Sequence, residues 1–376
     1  MKEGWTYKKL GEVCEILDSQ RKPITKNKRE SGSIPYYGAT GCLDYVKDYI
    51  FDEKLVLLGE DGAKWDAGEN SAYIIEGKSW VNNHAHALRP KRDIILDEIL
   101  VYYLNFANLQ PFITGVTVPK LNQEKMRSID IPIYPISEQQ RIVSRLDSAF
   151  AHIDERKANA EKQLSEARAL FQKSLAKAME PKEGWEERNL GDVAEVNRGR
   201  SKHRPRNDKR LFGGPYPFIQ TGDIRNAQGG EIKDFSQTYS EFGLSQSKLW
   251  AKGTICITIA ANIGETAILG FDACFPDSIV GIHPDETVLD ALFLNYYLLS
   301  IKKEIDSQSY GTAQKNINLE VLNNIVMQIP PLAEQQRIVE RLDALSENIR
   351  KYEEIQRQII SECDALKQAL LRIVFE

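Results

Sequence analysis

The chain has 376 residues, enough for two or three domains with sizeable cores. Its net charge of −5 excludes a protein that grips nucleic acid by bulk positive charge, so polyanion binding has to come from local patches or be shared with partners. Five scattered cysteines without a Cys-x-x-Cys pair, no apolar run near the roughly 20 residues of a bilayer span and no signal-like N-terminus predict a reduced, cytoplasmic chain.

The first stretch, Lys2-Glu3-Gly4-Trp5 through Leu10-Gly11-Glu12-Val13, returns as Lys182-Glu183-Gly184-Trp185 through Leu190-Gly191-Asp192-Val193. Short first strands follow at Val13-Cys14-Glu15-Ile16 and Val193-Ala194-Glu195-Val196. After each comes a basic segment. The first holds Arg21, Lys22, Lys26, Lys28 and Arg29; the second holds Arg198, Arg200, Lys202, Arg204 and Arg206 and runs on to Lys209 and Arg210. A lone charge run usually marks a solvated face. Recurrence at the same place in both halves favours contact with DNA, through phosphates or guanine edges.

Leu55-Val56-Leu57-Leu58 and Ile255-Cys256-Ile257-Thr258-Ile259 read as strands, and Asp97–Phe106 and Asp290–Ser300 as helices. Between them, Glu60-Asp61-Gly62-Ala63-Lys64 has the composition of a metal-dependent nuclease cluster. The other half has Ala261-Asn262-Ile263-Gly264-Glu265 there, so a charged turn is the better reading, with Lys64 near phosphate. Asn82-Asn83-His84-Ala85-His86 places two histidines at i and i+2, on one face of an expected strand. That spacing permits a metal site, but the other half has Ser278 and Val280 there and no cysteine cluster is nearby, so no metal is expected; a buried or hydrogen-bonded histidine and a DNA-facing surface with Asn82 and Asn83 stay open. The later loops Thr117–Asn122, with Lys120, and Thr312–Asn318, with Lys315, offer amides and cations to bases or phosphates; a polar helix cap is the equal alternative. In the middle of the halves the sequences diverge: Pro35-Tyr36-Tyr37-Gly38 stands against Pro215-Tyr216-Pro217-Phe218-Ile219-Gln220-Thr221, where Gln220 and Thr221 are candidate base contacts.

Each half closes on Ile-Pro (Ile131-Pro132, Ile329-Pro330) and then Glu-Gln-Gln-Arg-Ile-Val, at 138–143 and 334–339. The offset grows from 180 to 196, so the second half carries about 16 extra residues before the late motifs. A long run without glycine or proline follows each copy. Its apolar steps of four and three mark a coiled-coil seam through Ile142, Leu146, Ile153, Ala160 and Leu170, and through Ile338, Leu342, Leu345, Ile349, Ile359, Leu366 and Leu370. At 1.5 Å per residue each run is a rod of roughly 60 Å, and B-DNA repeats about every 34 Å, so an antiparallel pair of such rods could act as a ruler between two readers.

The repeated Ile-Pro, Glu-Gln-Gln-Arg-Ile-Val and Gly-Trp…Leu-Gly-(Glu/Asp)-Val pattern resembles the specificity subunits of type I restriction-modification enzymes, over the whole chain. The short strands and helices of each half already make an α+β pattern with pseudo-two-fold internal duplication, and the resemblance implies the same fold. Target-recognition domains at 1–136 and 181–332 would be held apart by spacer helices at 137–180 and 333–376. It also implies a non-catalytic subunit that binds double-stranded DNA and directs two methyltransferase subunits and restriction/translocase subunits. S-adenosylmethionine, ATP and magnesium would be bound by those partners and no cofactor by this chain. The residues agree in what they lack: there is no Asn/Asp-Pro-Pro-Tyr/Phe motif for a flipped adenine and no Gly-x-x-x-x-Gly-Lys-Ser/Thr loop. The other readings are a coiled-coil adaptor that binds protein and a standalone nuclease with an unrecognised site.

Overall fold

Residues Leu55–Gly59 are buried on both faces, which is why they read as a continuous apolar run rather than an alternating one. Val56 and Leu58 pack towards the helix Asp97–Phe106, with Ile99, Leu100 and Leu104. Leu55 and Leu57 point the other way, to a second sheet, where they meet Phe51 and Val81. The fold is α+β, and the structure, a computed structural model, describes residues 5–115, 117–260, 262–307 and 317–376. The chain divides into two compact units, residues 1–162 with 356–376, and residues 163–355.

In the first unit the central sheet is antiparallel, in the order Cys14–Ile16, Ala85–Pro90, Leu55–Gly59, Ala72–Ile75. The outer sheet runs Gly41–Val46, Ser31–Gly38, Lys78–Val81, Phe51–Asp52, with one parallel pairing between its two inner strands. A separate two-stranded ribbon joins Thr6–Lys9 to Asp130–Ile133.

The second unit repeats this plan where the sequences no longer match. Its central sheet runs Ala194–Arg198, Ile279–Pro284, Ile255–Thr258, Thr266–Leu269, with Glu231–Ile232 added in parallel at the edge. Its outer sheet runs Gln237–Tyr239, Phe212–Phe218, Ala273–Cys274, Leu249–Trp250, again with one parallel pairing in the middle. The extra length has a definite place. Residues 39–40 link the first two outer strands in one unit and residues 219–236 link them in the other, sixteen residues more. That insertion forms the helix Thr221–Ala227 and the added edge strand.

Two long helices, Ile136–Ala178 and Leu332–Phe375, each contribute to both units. Within the first unit Ile142 and Leu146 enter the core beside Leu371 and Phe375 from the end of the other helix. Within the second, Ile338 and Leu342 enter beside Leu175 and Met179, which stand 196 positions before Leu371 and Phe375. In each unit the helices are antiparallel neighbours: Lys157 meets Asp364 at 2.7 Å and Asp154 meets Lys367 in the first, and Arg168 meets Glu353 at 2.8 Å in the second.

Ile153 and Ala160 are buried on the seam, and Leu345, Ile349, Ile359 and Leu370 are half-buried. Leu170 and Leu366, expected on the seam, are instead 55% and 50% exposed. A straight α-helix drifts by about 20° per heptad from a 3.5-residue repeat. Four heptads beyond Ile142 the apolar face has therefore moved on by nearly one position, to Phe171, which packs on the core of the second unit.

The motif spelled twice has a structural reason. Gln139 is fully buried; its side-chain oxygen accepts from the Leu96 amide at 2.9 Å and its nitrogen donates to the Ile94 and Tyr134 carbonyls, both at 2.8 Å. Gln335, also fully buried, repeats this on the Asp290 amide and the Val288 and Pro330 carbonyls. A second peg joins Tyr102 to Asp147 and Tyr296 to Asp343. Each globular part is thus bolted to the start of its long helix by a side chain with all of its amide groups in use. Gln139→Ala and Gln335→Ala are each expected to cost about 3 kcal/mol, the worth of three buried hydrogen bonds. Thermal unfolding of the two variants checks this, and a loss below about 1 kcal/mol at either would refute the bolt.

Candidate nucleic-acid interface

The basic segment of the first unit is not a uniform positive loop. Arg21 turns inward, donating to Glu60 at 2.6 Å and to the Ala85 carbonyl at 2.6 Å, and pairs with Asp18 at 3.2 Å; its side chain is 11% exposed. Arg29 lies over the Tyr36 ring at 4.2 Å and donates to Asp44 at 2.9 Å and to the Ile24 carbonyl at 3.1 Å. The Arg29 hydrogen bond holds the Asp44 carboxyl below its usual range. Neither arginine is available as expected: both build the loop. The lysines between them, Lys22, Lys26 and Lys28, are exposed and make no ion pair among the described residues. Backbone bonds anchor the loop under Lys22, whose amide donates to Val81 at 3.2 Å and whose carbonyl accepts from the Trp80 indole at 2.6 Å.

Beneath the loop lies a buried polar knot. His86, in the strand Ala85–Pro90, has one ring nitrogen 2.6 Å from Asp18 and the other 2.7 Å from the Leu121 carbonyl. Burial works to raise the Asp18 carboxyl. The His86 hydrogen bond and charge, with Arg21 and the Ala87 amide, outweigh it and hold the group below its usual range. Asp18, Glu60 and His86 come close enough to hold a cation, all ligating atoms lying within 4.8 Å. The Arg21 guanidinium already pairs with both carboxylates, and both ring nitrogens are engaged, so the cluster fits a structural ion-pair network rather than a metal site.

Several other expected contacts are occupied by the fold. Asn82 is buried and its side-chain oxygen accepts from the His84 amide at 2.8 Å, so it shapes the turn rather than facing DNA; Asn83 beside it is exposed. His84 lies outside the strand, exposed and paired with Asp61, so the two histidines do not share a face. Lys120 pairs with Glu60 at 2.7 Å but stays 40% exposed, and Lys64 reaches Glu69 only loosely at 3.4 Å with 75% exposure. Asn122 and Asn318, in the late loops, cap the helices after them by accepting from the Lys125 and Val321 amides. Lys315 lies outside the described residues.

In the second unit the pattern reverses, with arginines among the free cations. Arg198, Arg200 and Lys202 are exposed, and their side chains make no ion pair among the described residues. Their backbone is fixed: the Gly199, Arg200 and Lys202 amides donate to Ile279, Phe275 and Gln246, and Ser247 donates to the Arg200 carbonyl at 2.7 Å. Gly199 is required there, because a Cβ would sit 2.3 Å from the Pro276 carbonyl oxygen. Arg206, Arg204 and Arg210 are committed elsewhere. Arg206 is held by both oxygens of Asp277 at 2.9 Å, Arg204 folds onto the Ser201 and His203 carbonyls, and Arg210 grips Asp208. Gln220 donates to Gln237 at 2.7 Å just before the inserted helix, and Thr221, half-buried, is that helix's first residue.

The comparisons with known proteins bear on the same two segments. The family model for the type I restriction modification DNA specificity domain matches residues 2–165 and again 182–360. The chain belongs to this family. A putative type I restriction enzyme specificity subunit of Haemophilus influenzae is 34% identical over 343 residues, covering 90% of this chain and 86% of that one. The putative MjaX specificity subunit of Methanocaldococcus jannaschii is 24% identical over 405 residues, covering 99% and 93%. Among solved structures, a chain from a study of assembly and conformational transition in the type I R-M system superposes with a TM-score of 0.75 at 19% identity. It covers 99% of this chain and 97% of that one. The HsdS subunit of Thermoanaerobacter tengcongensis gives 0.53 at 20%, covering 100% and 97%. The protein is thus a type I specificity subunit whose two matched segments are DNA specificity domains. No described helix is long and apolar enough to cross a membrane.

Proposed function

We propose that this specificity subunit reads an asymmetric, bipartite DNA target, one half-site per globular part, with the unread gap set by the long helices. Adenine-N6 methylation and ATP-dependent cleavage would be carried out by two methyltransferase subunits and by restriction/translocase subunits, which bring S-adenosylmethionine, ATP and magnesium. The observation that carries this is one sheet plan built twice with different connections at the same place, two residues in one copy and eighteen in the other. Equal scaffolds with unequal loops suit two different half-sites. A non-catalytic role is supported by how the acids and histidines are used, since Glu60 pairs with Arg21 and Lys120 and the His84 and His86 rings are hydrogen-bonded to Asp61 and Asp18.

Reconstitution tests the reading. The chain alone should transfer no methyl group, and adding its cognate methyltransferase should give methylation at one asymmetric bipartite sequence. A palindromic target, or cutting of DNA by the chain alone with magnesium, would count against it. The ruler has its own check: adding whole helical turns near Ala167 should lengthen the gap and leave both half-sites unchanged. Methylation mapping that recovers the original gap would remove the helices from that role.

A further inference from the structure

The ion pairs between the long helices carry a second pattern. Positions 196 apart are equivalent, so Lys157 corresponds to Glu353 and Arg168 to Asp364. The first unit contains Lys157–Asp364 at 2.7 Å and the second contains Arg168–Glu353 at 2.8 Å. These are the same contact with the charges exchanged: the first helix supplies the cation both times, and the second supplies the anion. Glu353 is the most enclosed of the four, its side chain 7% exposed. A third pair, Asp154–Lys367, has Arg350 and Phe171 at the equivalent places.

From this we propose that the charge pattern is a partner-selection device: each long helix is complementary to the other and repels a copy of itself. Because the halves are related, their helices share register and apolar spacing, so two first helices, or two second helices, could pair across a two-fold axis almost as well through their apolar seams. In such a pair Lys157 would face Arg168 of a second chain. Two second helices would set Glu353 against Asp364 and Arg350 against Lys367. About the axis each clash occurs twice. One exposed ion pair shifts an equilibrium by only about two- to five-fold. Reversing several at once, one of them enclosed, separates correct from incorrect pairing by about a hundred-fold or more. The interaction surface is therefore built for one occupant, the opposite half of the same chain, and against a second copy of either half.

The full-length protein tests this with charge reversals, read by sedimentation and by thermal unfolding. Arg168→Glu with Asp364→Lys makes both native contacts repulsive and turns the 157–168 and 353–364 like-helix contacts attractive, so that a pair of first helices carries no remaining clash of this set. This variant should form concentration-dependent dimers or melt below wild type. Adding Lys157→Glu and Glu353→Lys restores opposite charges in both native pairs with every sign exchanged, and should return a monomer that melts like wild type. A double variant as monomeric and as stable as wild type would overturn the proposal. So would a quadruple variant that rescues neither property, because loss of folding unrelated to pairing would not be repaired by restoring the pairs. A wild-type protein that already dimerises through like helices would overturn it outright.

Discussion

Arg21→Ala should lower the stability of the first unit by about 3–5 kcal/mol, while Lys28→Ala, seven residues on in the same basic segment, should change it by less than about 0.5 kcal/mol. The two residues are chemically similar and differ in what surrounds them. Arg21 lies between the Asp18 and Glu60 carboxylates and donates to the Ala85 carbonyl. Truncation would take the shared guanidinium from two enclosed carboxylates, leaving Asp18 only His86, which is itself 1% exposed, and Glu60 only the partly exposed Lys120. Lys28 is exposed, and its side chain makes no ion pair among the described residues. Hydrogen exchange across Ala85–Pro90 would localise the loss, and equal exchange in the two variants would mean that Arg21 is not structural. The same network predicts a pH dependence. Asp18 is held below its usual value, so its contribution is complete above the ordinary carboxyl pKa of about 4 and is lost as pH falls through the folded value. Acid loosening of this unit should therefore begin below about pH 4.

That contrast also shows what a single sequence can and cannot disclose. The duplication was legible because the bolts repeat: Gln139 and Gln335 each satisfy three backbone groups, and no other side chain of that size offers one acceptor and two donors. The strands at Leu55 and Ile255 were legible because burial on both faces leaves a continuous apolar run. The outer sheets were not, since their strands share topology but almost no residues, and one parallel pairing in each joins segments far apart in sequence. Nor was the sorting of free from committed cations. Arg21 finds Glu60 39 positions away and Arg206 finds Asp277 71 positions away, and composition gives the charge without the partner. Asn82 was misplaced for the same reason, its polarity being used inside the turn. The helix seams were right near their starts and wrong at Leu170 and Leu366, where the mismatch between 3.6 and 3.5 residues had accumulated.

The second large effect concerns DNA. Replacing Arg198, Arg200 and Lys202 together by alanine should weaken binding of the assembled enzyme about 100-fold at physiological salt, the sum of three phosphate contacts at roughly 1 kcal/mol or more each. Replacing Arg206 and Arg210 should do little, because Asp277 and Asp208 already neutralise them. Arg210 in turn, through its hydrogen bond, holds the Asp208 carboxyl far below its usual range, so the pair stays charged and closed across the working pH. The salt dependence separates two roles for the three free cations. If all three meet phosphates, the slope of log K against log salt should become shallower by about 2.7, and binding should fall alike on every sequence. If Arg200 instead reads a guanine edge, Arg200→Ala alone should relax one position of the half-site and leave the slope nearly unchanged. The fixed backbone from Gly199 to Lys202, pinned to Ile279, Phe275 and Gln246, favours the specific contact at Arg200, since a base-reading arginine needs a rigid origin. Gly199→Ala would then mimic the Arg200 loss without touching a charge, because the added Cβ would force the segment off the Pro276 carbonyl. Unaltered binding by the triple variant would move the interface of this unit away from the segment altogether.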